Sequence, residues 1–296
     1  DGLDEALELG LPQLAPDPWL RAAGLKLFLD GTLGSSTAWL LAPYEGSPDK
    51  VGLATMRAAD VWEAVALAAQ AGWPTAAHAI GDAAVRQALD AFAAHPTAPG
   101  GRRLRHRVEH VQLLHPEDLP RFAAGGIWAS LQPVHLAADW PVADRHWGAD
   151  RCRQSGYAWR SLLDAGASLA LGSDAPIEPQ SVLPALRVAL SRRDLAGHPA
   201  QGWHPQQALP LPAALSGYTW GGAAACGWEG WLGTLGAGKA ADLVALEGLR
   251  LEGTTDEMAA ALDGARVRST WLAGRPVWAT ASAAEADDVT SPLLLG

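Results

Sequence analysis

The 296-residue chain is poor in cysteine, phenylalanine, tyrosine and positive charge, and each shortage excludes something. Its two cysteines, Cys152 and Cys226, are too few and too far apart for a disulfide framework or a thiolate zinc knot. Both read as buried, inert thiols of a protein in a reducing, cytoplasmic setting. Lys and Arg number 22 against 32 Asp and Glu, a formal charge of −10 that argues against a phosphate backbone as partner, so no nucleic acid is expected. No apolar run approaches the roughly 20 residues that span a bilayer, and DGLDEALELGLPQL at the start lacks a basic segment followed by an apolar one. No membrane partner is expected either. The chain opens without Met, which suggests processing or truncation. Against 3 Phe and 3 Tyr stand 14 Trp, most of which are expected to fill core and interlayer gaps.

With 49% apolar and 18% charged residues, the chain can bury a large core, as one big α/β domain or two smaller ones. Apolar runs with β character alternate with helical stretches, as in βα units around a parallel sheet. Five strands are predicted, at 25–29, 73–79, 104–112, 127–134 and 168–172. The first is followed by a Gly- and Ser-rich loop over 31–52, long enough to act as a lid. Asp60 is expected to cap the helix VWEAVALAAQAG; further helices are predicted at 82–94, in HPEDLPRFAAGG with Pro116 in its first turn, around SLLDAG, and in VLPALRVALSRR. Residues 135–159 read as a long excursion, of which 139–157 is expected, with the loop over 31–52, to exclude solvent and set specificity. Beyond residue 205 one more amphipathic helix precedes short strands separated by Gly-rich turns. The organisation expected is 1–228 as a barrel-type unit, 229–280 as a small β element and 281–296 as a poorly ordered acidic tail.

Polar residues recur where the apolar runs end: Lys26 and Asp30 in LKLFLDGTLGSSTA, His78 in TAAHAIGD, His110 in RVEHVQ, Gln132 and His135 in SLQPVH, and Asp174 in LALGSDAP. Taken singly, His78 and His110 read as satisfied core or capping residues and Asp174 as a helix N-cap. Their joint occurrence on successive strand ends is how a barrel enzyme builds a metal site. Imidazoles with a carboxylate suit a hydrolytic, zinc-like divalent ion that keeps a position open for water. Lys26 cannot coordinate a cation until it loses a proton or becomes a carbamate; its alternative is an ion pair with Asp30 or another carboxylate. Gln132 and His135 are candidates to face substrate, with a structural hydrogen-bonding role as the alternative. Arg107 and Glu109 are expected to form a buried ion pair on the face opposite His110. His95, His115, His146, His198 and His204 read as surface residues.

The stretches KLFLDGTLGSSTAWL, HAIGD, RVEHVQ, SLQPVH, GYAWRSLLDAG and LGSDAPIEP, then GTLGAGKAADLVAL and TWLAGRPVW, together resemble the metal-dependent amidohydrolase superfamily, in particular its YtcJ-like branch, which includes N-substituted formamide deformylases. The resemblance runs from about residue 25 to 279. It implies a TIM-type (β/α)₈ barrel with a composite β-sandwich, and a metal at the barrel mouth. It also implies that His78 and His110 are metal ligands of the fifth and sixth strands, Asp174 the acidic residue of the eighth, and Lys26 the fourth-strand lysine, carboxylated in many members. No His-x-His pair, which members carry on the first strand, occurs here. The chain is therefore expected to hold strands 4–8 only, with the C-terminal portion of the sandwich, and to self-associate or pair with a missing N-terminal segment.

The activity implied is hydrolysis of a small amide-like C–N bond by a metal-activated water, one or two zinc-like ions being held, with Asp174 as general base and acid. Gln132 or His135 would hold the substrate. Two alternatives stand beside it: a non-catalytic truncated barrel serving as a binding or assembly module, and a barrel hydrolase of phosphoesters or lactones. Few Arg or Lys near the strand ends lean against a phosphorylated substrate.

Overall fold

The computed structural model describes residues 2–13, 17 and 20–280. After a short helix α1 (Gly2–Glu8), five parallel strands follow one another: β1 (Leu25–Phe28), β2 (Thr75–Ala79), β3 (Arg107–His110), β4 (Trp128–Leu131) and β5 (Ser168–Leu171). They lie side by side in chain order. Helices α2 (Ala58–Gln70), α3 (Asp82–Ala94), α4 (Leu119–Gly125), α5 (His135–Trp147), α6 (Ala149–Ser155) and α7 (Trp159–Asp164) make the crossovers, and α8 (Val182–Ser191) follows β5. The predicted strands are present, each trimmed at its ends. The sheet is open, and no closed barrel is formed among the described residues.

Strand alternation divides the sheet into two chemically different faces. The register aligns Leu27, Ala77, Val108, Ala129 and Leu169 in one row across all five strands. All five are buried in the main core with Val65, Val85, Leu89, Phe92, Phe122 and Leu186 of the helices. The small residues of β2 let its helices approach closely. The opposite row is Phe28, His78, Glu109, Ser130 and Ala170. Phe28 is 58% exposed there, whereas Trp128 and Ala170 are covered by Ala224 and Ala225. Those two alanines belong to α10 (Gly222–Ala225), which continues α9 (Leu211–Ser216) through a π-helical stretch.

The C-terminal strands form a separate antiparallel sheet, β6 (Leu243–Glu247), β7 (Arg266–Leu272) and β8 (Arg275–Ala279). Between β6 and β7 lies α11 (Thr255–Gly264), opened by a Thr254–Glu257 capping box and packed on α8. Arg187–Asp263 and Arg193–Asp256 ion pairs, at 2.8 and 2.7 Å, tie the two helices together. The expected disorder of 281–296 lies outside the described residues.

Several sequence expectations need correction. Asp60 sits inside the first turn of α2, whose N-cap is Arg57, and the Arg57 side chain holds its carboxylate at 2.6 and 2.8 Å. The excursion over 135–159 is largely helical, in α5 and α6. Cys226 is exposed, although Cys152 is buried. Trp73, Trp128, Trp147, Trp159 and Trp203 are buried, but Trp62, Trp220, Trp231 and Trp278 are exposed, so many indoles are not core. His95, His115, His146 and His204 are half-buried rather than surface residues. The loop over 31–52 is pinned in place, with Leu33, Ala38, Leu40 and Tyr44 in the core. No helix among the described residues is long and apolar enough to cross a membrane.

Candidate metal centre

A cavity of about 590 Å³ opens at the C-terminal ends of the parallel strands, lined among others by Lys26, His78, His110, His135 and Asp174. Each comes from a different βα unit, so the site is assembled by strand order. Lys26 lies on β1 with its Nζ 5.0 Å from the Phe28 ring centre. Burial lowers its pKa, and the nearby Glu109 carboxylate opposes the shift. The alternative partner Asp30 is engaged elsewhere. Its buried carboxylate accepts from the backbone N–H groups of Trp39, Ile80 and Gly81, tying the loop after β1 to the end of β2. Glu109 is taken by Arg107 at 2.6 Å, a half-buried pair that faces the same side as His78, its cross-strand neighbour.

His78, at the end of β2, donates Nε2–H to the Gly31 carbonyl at 3.0 Å, with Asp30 Oδ1 3.5 Å away. Because a carbonyl only accepts, Nδ1 carries the lone pair; metal-ligating imidazoles are commonly oriented by such a bond on the other nitrogen. His110 would face the helices by strict alternation after Val108. Instead His110 and Val111 take left-handed φ values of 75° and 48°, and the ring lies 4.5 Å from His78 and 5.8 Å from His135. Left-handed backbone at such residues costs about 1–2 kcal/mol. Burial, with His78 and His135 adding to it, pushes the His110 pKa down to about 2, so its imidazole is neutral.

His135 opens α5, and Asp174, at φ 58°, follows β5. Their nearest atoms, Nε2 and Oδ2, are 3.8 Å apart. One ligand-type atom from each of His110, His135 and Asp174 fits within a 4.8 Å span. Nδ1 of His110 and Nε2 of His135 are buried without hydrogen-bond partners. Two imidazoles with orphaned nitrogens and a 40%-exposed carboxylate fit a borderline divalent cation better than they fit a packed core. His78 and Lys26 line the same cavity but stand outside this three-residue cluster.

Gln132 does not line the cavity; its buried amide donates to the Ser130 carbonyl at 3.3 Å. Sequence reasoning passed over Gln112, Asp139, Ile177 and Glu178 in the cavity wall. Asp139 accepts from Gln112 Nε2 at 3.2 Å and from the Tyr157 hydroxyl, and burial raises its pKa. Gln112 was within reach, two residues after His110; Asp139 shares a helical face with His135 that appears only once α5 is known. His106, also passed over, is structural: Nδ1 accepts from Thr75 N–H, Nε2–H donates to the His95 carbonyl, and the ring stacks on Phe92.

Comparison with known proteins gives the family of the chain. The chain is 36% identical over 228 residues to Protein LONG AFTER FAR-RED 3 of Arabidopsis thaliana, covering 77% of this chain and 39% of that protein. It is 33% identical over 232 residues to the putative amidohydrolase YtcJ of Bacillus subtilis (strain 168), covering 78% and 43%. An uncharacterized metal-dependent hydrolase from Pyrococcus horikoshii OT3 superposes with a TM-score of 0.71 at 30% identity, covering 81% of this chain and 47% of that one. The chain thus spans less than half the length of these relatives. The pattern of the amidohydrolase family matches residues 1–278, and the chain belongs to that family.

Proposed function

We propose that this chain forms the C-terminal half of a metal-dependent hydrolase that cleaves an amide-like C–N bond, its sheet being the arc of strands four to eight of a (β/α)₈ barrel. The observation that carries the reading is the convergence of His110, His135 and Asp174 at successive strand ends in one cavity. His110 and His135, with Asp174, would hold a divalent ion, zinc being favoured by the imidazole-rich set, and His78 would join through Nδ1. Such an ion acidifies a bound water toward pH 7 and polarises a carbonyl. Asp174 is the exposed member of the set, and its carboxylate would take a proton from the attacking water and return it to the leaving nitrogen. Support for carboxylation of Lys26 is its lowered pKa, which raises the share of neutral amine open to CO₂. Phe28, Leu33, Ile80 and Ile177 give the cavity an apolar wall that keeps bulk water from the reacting carbonyl. The test is elemental analysis of protein purified without chelator, followed by a screen of N-substituted amides. One or two equivalents of metal with amide hydrolysis are expected; neither metal nor turnover, in this chain or together with the remaining half of the barrel, would overturn the reading.

A further inference from the structure

A second cavity, of about 490 Å³, lies at the other end of the sheet, where the chain enters β1, β2 and β3. Strands of four to five residues separate it from the metal centre by about 15 Å. Arg21, Arg102, Arg103 and Arg105 line it, and among the described residues no Asp or Glu does. This gathers four guanidinium groups in a protein of net charge −10.

We propose that this cavity is an anion site that takes a phosphate-type oxyanion. The competing account is that the arginines only cap helix ends. Arg102 does donate to the Gly72 carbonyl at 2.6 Å past the end of α2, Arg103 to Ala124 at 3.3 Å in α4, and Arg21 to Gly227 at 3.0 Å past α10. Magnitudes decide between the two. Arg105 is neutralised by its forked pair with Glu229, while Arg21, Arg102 and Arg103 have no ion-pair partner among the described residues. Three positive charges against three helix ends, each worth about half a negative charge, leave about one and a half positive charges facing the cavity. Each of those three guanidiniums spends one N–H bond on a carbonyl and keeps its other donors, in the planar fork that suits phosphate oxygens. A small tetrahedral anion with several acceptor oxygens satisfies both the charge and the donors, and the volume leaves room for a small organic group esterified to it. The site owes nothing to the metal centre, so it stands or falls independently of the proposed hydrolysis.

The experiment is isothermal titration of the intact, chelator-treated chain at low salt with inorganic phosphate and, separately, with glycerol phosphate. Saturable binding at one equivalent is expected, weakening as sodium chloride is raised. Arg102→Gln and Arg103→Gln are each expected to weaken it about tenfold, the share of one charge-assisted contact. Arg153→Gln, at a surface pair elsewhere, should leave it unchanged. Equal affinities would assign free phosphate as the ligand, and tighter binding of the ester would assign an organic phosphate. Absence of saturable binding, or binding indifferent to both cavity variants while circular dichroism reports a folded protein, would overturn the proposal.

Discussion

His135 Nε2 and Asp174 Oδ2 face each other at 3.8 Å, although one opens α5 and the other follows β5. The register of β4 on β5, which pairs Leu131 with Leu171, brings their two loops together.

Replacing Asp174 by Asn keeps an oxygen donor but removes the carboxylate proposed to carry the proton. Turnover should fall by about 10²–10⁴, the usual share of positioned acid–base catalysis, with most metal retained. Steady-state kinetics beside elemental analysis checks this, and unchanged turnover would sink the assignment of Asp174.

His135→Gln removes an orphaned, buried nitrogen from the three-residue cluster. Metal affinity should drop by at least about tenfold, as for loss of a ligand or its orienting partner. Competition against a chromogenic chelator gives the number. An affinity equal to that of the unsubstituted chain would return His135 to a purely structural role.

Asp30→Ala would strip the acceptor from the Trp39, Ile80 and Gly81 N–H groups. Unpaired buried donors cost about 1–3 kcal/mol each, so a loss of several kcal/mol is expected. Urea unfolding of the metal-free protein measures it; a loss under 1 kcal/mol, about the worth of a single exposed bond, would mean that water replaces the carboxylate.

Asp82 is buried at the start of α3 and accepts from Leu41 N–H at 2.9 Å; burial, the leading cause, raises its pKa above the ordinary value. The folded state then holds this proton more tightly than the unfolded chain does. Its contribution to stability is present below about pH 4 and is lost as the pH climbs through the raised value. Asp82→Asn should therefore gain on the wild type as pH rises from acid to neutral. Melting curves across that range check the sign, and a constant difference would refute it.

Arg192 is fully buried, donating to the Trp203 and Tyr157 carbonyls at 3.0 Å, its guanidinium 4.4 Å from the Trp159 ring centre. Burial lowers its pKa to about 9. Arg192→Ala leaves a cavity and takes the donor from the Trp203 carbonyl, while the Tyr157 carbonyl keeps the Trp159 N–H at 2.8 Å, and should destabilise the fold by about 3–5 kcal/mol. Chemical denaturation decides; a shift below 1 kcal/mol, about one ordinary hydrogen bond, would mean that the neighbours close over the gap.

The parallel strands were legible because short apolar runs bounded by Gly, Asp and Pro alternate with helical stretches. The ends of β1 to β5 therefore came out within a few residues. Helix α5 was hidden by Pro141 and a polar surface, and α11 by its position between Gly-rich turns. With α5 hidden, the i, i+4 relation of His135 to Asp139 was hidden too. Nothing in the spacing of the arginines before β3 says that Arg21 and Gly227 close the same cavity.

By itself the sequence determined where the five parallel strands lie, from local periodicity and residue type, and, through the resemblance of its motifs, the family to which the chain belongs. Only the tertiary structure decided which lone pairs converge. His110 reaches the site through left-handed backbone at two residues, His78 turns Nε2 toward Gly31, and His135 meets Asp174 across two loops. Such distances depend on loop dihedrals and on packing between neighbouring strands, and periodicity along one strand carries no information about either.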